Sequence, residues 1–244
     1  MSAMKNVGTI LQTGPRKVAS AAALARFNAV RIGIDEVGRG CLAGPVTVSA
    51  ALIPAGFKEP AGLPELRDSK LMTRLQREAW YDWVKNEGLS RGIAITVSSV
   101  SPRTVDRINI SMAANLAAWR SINKMFLLQD GNSALPCVKA GIVLDGSLYL
   151  KSRTFQKRGD FPFGPLHART ITGADRKFRE VKLAAIVAKV TRDAYMRRMA
   201  ERYPEYGFEA HKGYGTRLHL EAIRREGIIE GFHRKTFLGN PFLV

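Results

Sequence analysis

At 244 residues the chain is long enough for one sizeable domain, or one domain with an appendage. Its 45% hydrophobic and 24% charged composition is that of a packed globular protein, not a disordered one. No run approaches ~18 uninterrupted apolar residues, which excludes a helical membrane span, and 38 Lys and Arg against 21 Asp and Glu leave +17, an excess that points to a polyanionic partner, most often nucleic acid. Two cysteines, Cys41 and Cys137, fit neither a disulfide framework nor a zinc-ligand spacing, so a reducing compartment is expected.

No acid precedes Asp35, whereas Lys5, Arg16, Lys17 and Arg26 do. Residues 1–30 therefore read as a basic N-terminal extension, with a short helix over 21–27. Cytoplasmic location is expected, although an acid-free start also suits organelle targeting. Residues 30–36 form a first predicted strand and 45–53 a second, apolar enough to be covered on both faces. A loop rich in Gly, Ala and Pro spans 54–64. Ser69 is the expected cap of a helix over 72–87 that turns Leu75, Ala79, Trp83 and Val84 to one face. Ile93, Ile95 and Val97 alternate as a third strand. One long helix fits 102–128, where Ile108, Met112, Leu116, Trp119, Ile122 and Phe126 keep the helical period.

Residues 131–136 break that helix. A fourth strand, 140–144, ends at Asp145-Gly146. A basic loop with Lys151, Arg153, Lys157 and Arg158 follows, read as a solvated insertion over 151–165. A fifth strand near 168–172 leads to Gly173-Ala174-Asp175, a helix over 178–202 and a last basic helix over 216–226. Strands and helices alternate after the first hairpin, which predicts an α/β layer on a mixed sheet.

The chemistry gathers at strand ends. Asp35-Glu36, Asp145 and Asp175 each follow or close a strand, where sites of open α/β sheets lie. Four acids at one edge repel each other unless cations intervene, and an all-oxygen set suits Mg²⁺ or Mn²⁺ better than zinc. The turn after the first pair, Gly38-Arg39-Gly40, offers bare backbone beside a cation, as a phosphate site needs. Neighbours on a strand point to opposite faces, so the first strand is expected to end or twist at Glu36.

Five segments carry a family resemblance: GIDEVGRGCLAGPV at 33–46, DSKL at 68–71, LDG at 144–146, GAD through AKVTRD at 173–193, and HKGYGTRLHLE at 211–221. In this order they resemble ribonuclease HII, the type 2 ribonuclease H family, across most of residues 31–238. The resemblance implies a ribonuclease H-like α/β fold: a mixed five-stranded sheet flanked by helices over 31–204, with a C-terminal helical region, 205–244, touching the duplex. It implies endonucleolytic cleavage of RNA in RNA–DNA hybrids and at single ribonucleotides in DNA. By motif, the catalytic and metal-binding carboxylates are Asp35, Glu36, Asp145 and Asp175, holding two divalent ions, Mg²⁺ or Mn²⁺. Gly38-Arg39-Gly40 would work with Tyr214 to read the 2′-hydroxyl, and Lys70, Lys189 and Arg192 are candidates for phosphate contacts. The chain departs from the family at Cys41, where proline is usual, at Lys182, where a small residue is usual, and at Gly173-Ala174, where Lys-Gly is usual.

Other residues draw plainer readings. Asp193 is expected to pair with Arg192 or Arg197, and His211 and His219 to be structural or to lie beside phosphate. A monomer is expected; a replication clamp is a further candidate partner, although residues 237–242 show no clear clamp-binding pattern. The alternatives are another ribonuclease H-like nuclease, of type 1 or HIII, and a basic nucleic-acid-binding protein without catalysis. Four acids in a phosphate-binding groove weigh against the latter.

Overall fold

The computed structural model describes residues 29–127, 139–150 and 167–239. Residues 1–28 of the expected N-terminal extension, the break at 131–136, the basic loop at 151–165, Cys137 and the last five residues lie outside them, whereas Ala29 and Val30 already belong to the first strand. Strands β1 (Ala29–Val37), β2 (Val46–Pro54), β3 (Ala94–Val100), β4 (Lys139–Asp145) and β5 (His167–Ile171) form one sheet in the order β3-β2-β1-β4-β5. β2 runs antiparallel to β1 and β3, whereas β4 runs parallel to β1 and β5. The expected mixed five-stranded sheet is what forms, and β2 is buried along its whole length.

Helices cover both faces. Helix α1 (Arg74–Asn86) begins at Thr73, not Ser69: Thr73 and Gln76 make a reciprocal capping box. Its buried residues are Trp80, Trp83 and Val84, while Leu75 points to solvent at 77% exposure, so the predicted face was rotated. The long helix expected over 102–128 is two, α2 (Pro102–Ile108) and α3 (Ile110–Leu127). Asn109 breaks it at φ 64°, a left-handed conformation that asparagine tolerates, and its side-chain oxygen accepts from the Met112 amide at 3.0 Å. On α3 the core face is Ala113, Ala114, Ala117, Ala118 and Ile122, whereas Met112 is 36% exposed. Small side chains let the helix lie close on Ile32, Ile34, Val48, Ala50 and Ile142 of the sheet.

The opposite face carries α5 (Arg179–Arg202), preceded by the short α4 (Ala174–Lys177). Leu183, Ala184, Ile186 and Val187 of α5 pack with Ala51, Ile53, Ile95 and the α1 tryptophans. α5 approaches β1 so closely that a Cβ at Gly33 would lie 2.2 Å from the Glu180 carbonyl carbon. The C-terminal end of α5 then enters a third cluster with Tyr206, Phe208, Ile223 and Phe232. That cluster holds the short α6 (Phe208–His211) and α7 (Arg217–Glu226), the last capped by Thr216. No helix among the described residues is long and apolar enough to cross a membrane.

Candidate active site

The β1–β4 ladder stops at Ile34↔Leu144, while the β1–β2 ladder runs on through Val37. Beyond that point the two central strands part, and a cleft of about 440 Å³ opens. Of the two alternatives expected, an end or a twist at Glu36, the strand does not end there: Glu36 still pairs with Val48. Alternation puts Asp35 on the α5 side and Glu36 on the α3 side. Both nonetheless line the cleft, because it occupies the gap where the sheet has divided and both faces open onto it.

Asp35 is buried, and its Oδ1 accepts from the Glu36 amide at 2.8 Å. Asp145, the last residue of β4, also lines the cleft; its Oδ1 accepts from the Ala174 amide at 2.6 Å and the Asp175 amide at 3.4 Å. That bond ties the end of β4 to the turn carrying Asp175. Asp175 is buried beneath the cleft wall, and its Oδ2 accepts from Lys70 Nζ at 3.0 Å. Asp68 shapes the turn that delivers Lys70, its Oδ1 accepting from the Lys70 amide at 2.9 Å. Arg77, which the sequence did not single out, also lines the cleft and braces this turn by donating to the Ser69 carbonyl.

Negative charge here is under-compensated. Burial raises the Asp35 pKa well above the carboxylate range, and Glu36, Asp145 and Asp175 push it further. Glu36 is raised too, chiefly by burial and then by Asp145, with Arg39 opposing at 3.5 Å. Glu36 Oε2 is buried with no hydrogen-bond partner. Among the described residues no three His, Cys, Asp or Glu side chains already converge as the ligands of one ion; the Lys70 ammonium occupies Asp175 instead. An unpartnered carboxylate oxygen and a buried acid pair fit hard divalent cations, which take oxygen ligands and supply the missing positive charge.

The Gly38-Arg39-Gly40 turn flanks these acids. Arg39 Nη2 donates to Ser111 Oγ at 2.8 Å, a residue at the start of α3 that the sequence did not mark. Tyr214, 41% exposed, faces the same cleft and joins Cys41 in an antiparallel bridge, while Leu42 and Ala43 both donate to the Gly213 carbonyl. Three buried histidines stand behind Tyr214. His219 Nδ1 donates to the Tyr214 carbonyl at 2.9 Å, which leaves Nε2 to accept from His233 Nε2 at 3.1 Å. His233 Nδ1 accepts from the Ile229 amide, and His211 accepts from the Gly213 amide while bonding the Tyr206 carbonyl. Each ring nitrogen has one role, and the set closes only when all three rings are neutral. They are structural, which for His211 and His219 was one of the two sequence readings.

Two expectations require correction. Arg192 is fully buried and spends its guanidinium on the carbonyls of Pro45, Lys212 and Ala43 at 2.9–3.1 Å, so it presents nothing to a phosphate. Asp193 pairs with Lys189 at 2.9 Å, not with Arg192 or Arg197; Arg197 instead meets Glu78. Lys189 does line the cleft. Lys182, another departure from the family pattern, donates to the Leu66 carbonyl.

Comparison with known proteins shows the family. The family model described as Ribonuclease HII matches residues 32–239. A Ribonuclease HII of Bacillus cereus strain Q1 is 40% identical over 205 residues, covering 84% of this chain and 67% of the relative. One of Bacillus thuringiensis strain Al Hakam is 39% identical over the same length and shares. Among solved structures, the RNase HII of Archaeoglobus fulgidus, determined as a PCNA complex, aligns with TM-score 0.57 at 24% identity, covering 84% of this chain and 94% of that one. Ribonuclease H2 of Pyrococcus horikoshii OT3 aligns with TM-score 0.55 at 22% identity, covering 85% and 93%. Bst-RNase HIII in complex with Mn²⁺ aligns with TM-score 0.52 at 16% identity, covering 84% and 64%. These structural neighbours share the ribonuclease H-like fold, and on the family match and the sequence relatives the chain belongs to the ribonuclease HII family, enzymes with ribonuclease H activity.

Proposed function

We propose that this enzyme cuts DNA duplexes on the 5′ side of a single embedded ribonucleotide, as well as the RNA strand of RNA–DNA hybrids, leaving 3′-hydroxyl and 5′-phosphate ends. One observation carries the reading: Asp35, Glu36 and Asp145 share a cleft with the Gly38-Arg39-Gly40 turn and the exposed ring of Tyr214. On this reading a phosphate-cutting centre and a sugar-reading surface lie side by side.

Asp35, Glu36, Asp145 and Asp175 would hold the divalent ions, Mg²⁺ or Mn²⁺, and such ions activate water and stabilise the departing oxygen in displacement at phosphorus. The chain's own residues do the rest. Lys70 and Lys189 line the cleft as cations for the phosphates on either side of the cut, Lys70 leaving Asp175 as it does so. Arg39, tied to Ser111 and balanced against Glu36, sets the floor against which the sugar rests. Tyr214 packs its ring on the sugar or base at the RNA–DNA junction. The buried histidines behind it supply no proton to the reaction. This chemistry suits ribonucleotide removal and RNA-primer processing by a monomer in the cytoplasm.

The test is a DNA duplex containing one ribonucleotide, offered with Mg²⁺ or Mn²⁺. A cut on its 5′ side is the expected product. An uncut duplex beside a cleaved all-RNA hybrid would favour type 1 or HIII specificity, and cleavage of neither would overturn the reading.

A further inference from the structure

The shape of the recognition turn is set from the far end of the chain. Residues 232–234 lie against residues 42–44: Gly44 donates to the Phe232 carbonyl at 2.9 Å, Arg234 to the Leu42 carbonyl at 2.7 Å, and Ala43 bridges His233. On the other side the Asp106 carboxylate accepts from the Lys235 and Thr236 amides at 3.0 Å each and from the Thr236 hydroxyl at 2.6 Å. Held between them, the Arg234 side chain runs beneath the turn. Nη1 donates to the Arg39 carbonyl at 2.8 Å, Nη2 to the Gly38 and Gly44 carbonyls at 2.7 and 2.9 Å, and Nε to Gly44 at 3.2 Å.

Arg234 is fully buried, and among the described residues no carboxylate comes within ion-pair distance of it. Burial draws its pKa down to about 10, which leaves it charged at neutral pH. A buried guanidinium without a counter-ion costs several kcal/mol unless its donors are satisfied. Here backbone carbonyls alone satisfy them, with the Phe237 ring 5.2 Å from the guanidinium carbon.

Two carbonyls held inward have a covalent consequence. Across a trans peptide the C=O of one residue and the N–H of the next point in opposite directions, and the described residues contain no cis bond. With the Gly38 and Arg39 carbonyls turned down onto Arg234, the Arg39 and Gly40 amides turn outward. Among the described residues neither donates a hydrogen bond, and the space beside the Gly40 α-carbon is open. Both residues line the acid cleft.

We propose that Arg234 is a positioning residue for ribose recognition: by holding the Gly38 and Arg39 carbonyls it aims the Arg39 and Gly40 amides at the 2′-hydroxyl of the ribonucleotide. The inference rests on the ribonucleotide-directed function proposed above. Arg234→Lys keeps the charge but loses the planar fork that reaches three carbonyls. Binding of the full chain to a one-ribonucleotide duplex and to its all-deoxy counterpart, without divalent ions so that nothing is cut, gives the preference for ribose. That preference should fall at least about tenfold in the variant, a loss of about 1.4 kcal/mol, with affinity for the all-deoxy duplex unchanged. A merely structural role would weaken both duplexes together. Amide exchange in the wild type, followed by NMR, needs no variant: Arg39 and Gly40 should slow with the ribonucleotide duplex and not with the all-deoxy one. A wild type that prefers and cuts the ribonucleotide, beside a variant that keeps the preference or amides that stay unprotected, overturns the role of Arg234 and leaves the function standing. A wild type that neither prefers nor cuts it overturns both. Should Arg234→Lys not fold, the amide measurement decides.

Discussion

At Asp35 burial and like charge act together. Its carboxylate is buried beside Glu36 and Asp145 and is held above the usual carboxylate range by that burial and by their charge. Without a cation the fold therefore carries a repulsion that an amide would remove. Asp35→Asn is expected to raise Tm by a few degrees, roughly the effect of 1 kcal/mol in a domain of this size, when melting is followed in chelator. Cleavage of an RNA–DNA hybrid should meanwhile fall by more than about a hundredfold. An unchanged Tm in chelator would show that the acids do not strain the cation-free fold. The four carboxylates were legible as strand-end acids with a family spacing. Arg192 was not: a cation three residues after Lys189 reads as a surface partner for phosphate, and only the packing of α5 against the 38–45 loop shows it sealed inside. Arg234 left no mark in the sequence, because its partners are carbonyls, which every residue carries.

At the scale of elements, β1 and α5 touch through Gly33. A methyl there would collide with backbone, not with a yielding side-chain tip, so Gly33→Ala should cost about 3 kcal/mol in denaturant unfolding. A loss under about 1 kcal/mol would mean that α5 can lift from the sheet without penalty. The histidine cluster makes a second element-scale prediction. Burial lowers the pKa of His219 and of His233 to about 4, and that of His211 in the same direction. Between their ordinary value near 6.5 and 4 the unfolded chain binds more protons than the folded one, so stability is complete above pH 6.5 and declines as pH falls. The loss is at most about 3 kcal/mol per ring, and less for two rings sharing one hydrogen bond. Thermal scans from pH 7.5 to 4 measure it; a flat profile, or one in which His219→Gln behaves like the wild type, would contradict the neutral ladder. Element types were readable from periodicity, but faces were less so. Leu75 fitted a helical stripe and lies in solvent, and the period of 102–128 ran through Asn109, where one left-handed residue divides the helix.

For the whole molecule, a net charge of +17 goes together with a cleft lined by Asp35, Glu36 and Asp145. On the proposed function, that excess would attract a duplex, and the acids would repel its phosphates until cations intervene. If about six phosphates are neutralised on binding, log K should fall with log salt at a slope of roughly −5, read from binding titrations of the Asp145→Asn variant. A flat dependence would remove charge as the source of affinity. By itself the sequence determined the strands, the acids at their ends, the glycine turn and the family, because these are properties of residue type and near-neighbour spacing. Only the tertiary structure decided how Glu36 joins Asp35, through a sheet that divides after Ile34 and opens both faces to one cleft. It alone decided that two arginines and three histidines brace the 38–45 loop and Tyr214 from within. Those arrangements rest on hydrogen bonds to distant backbone, and a backbone carbonyl has no residue type for a sequence to display.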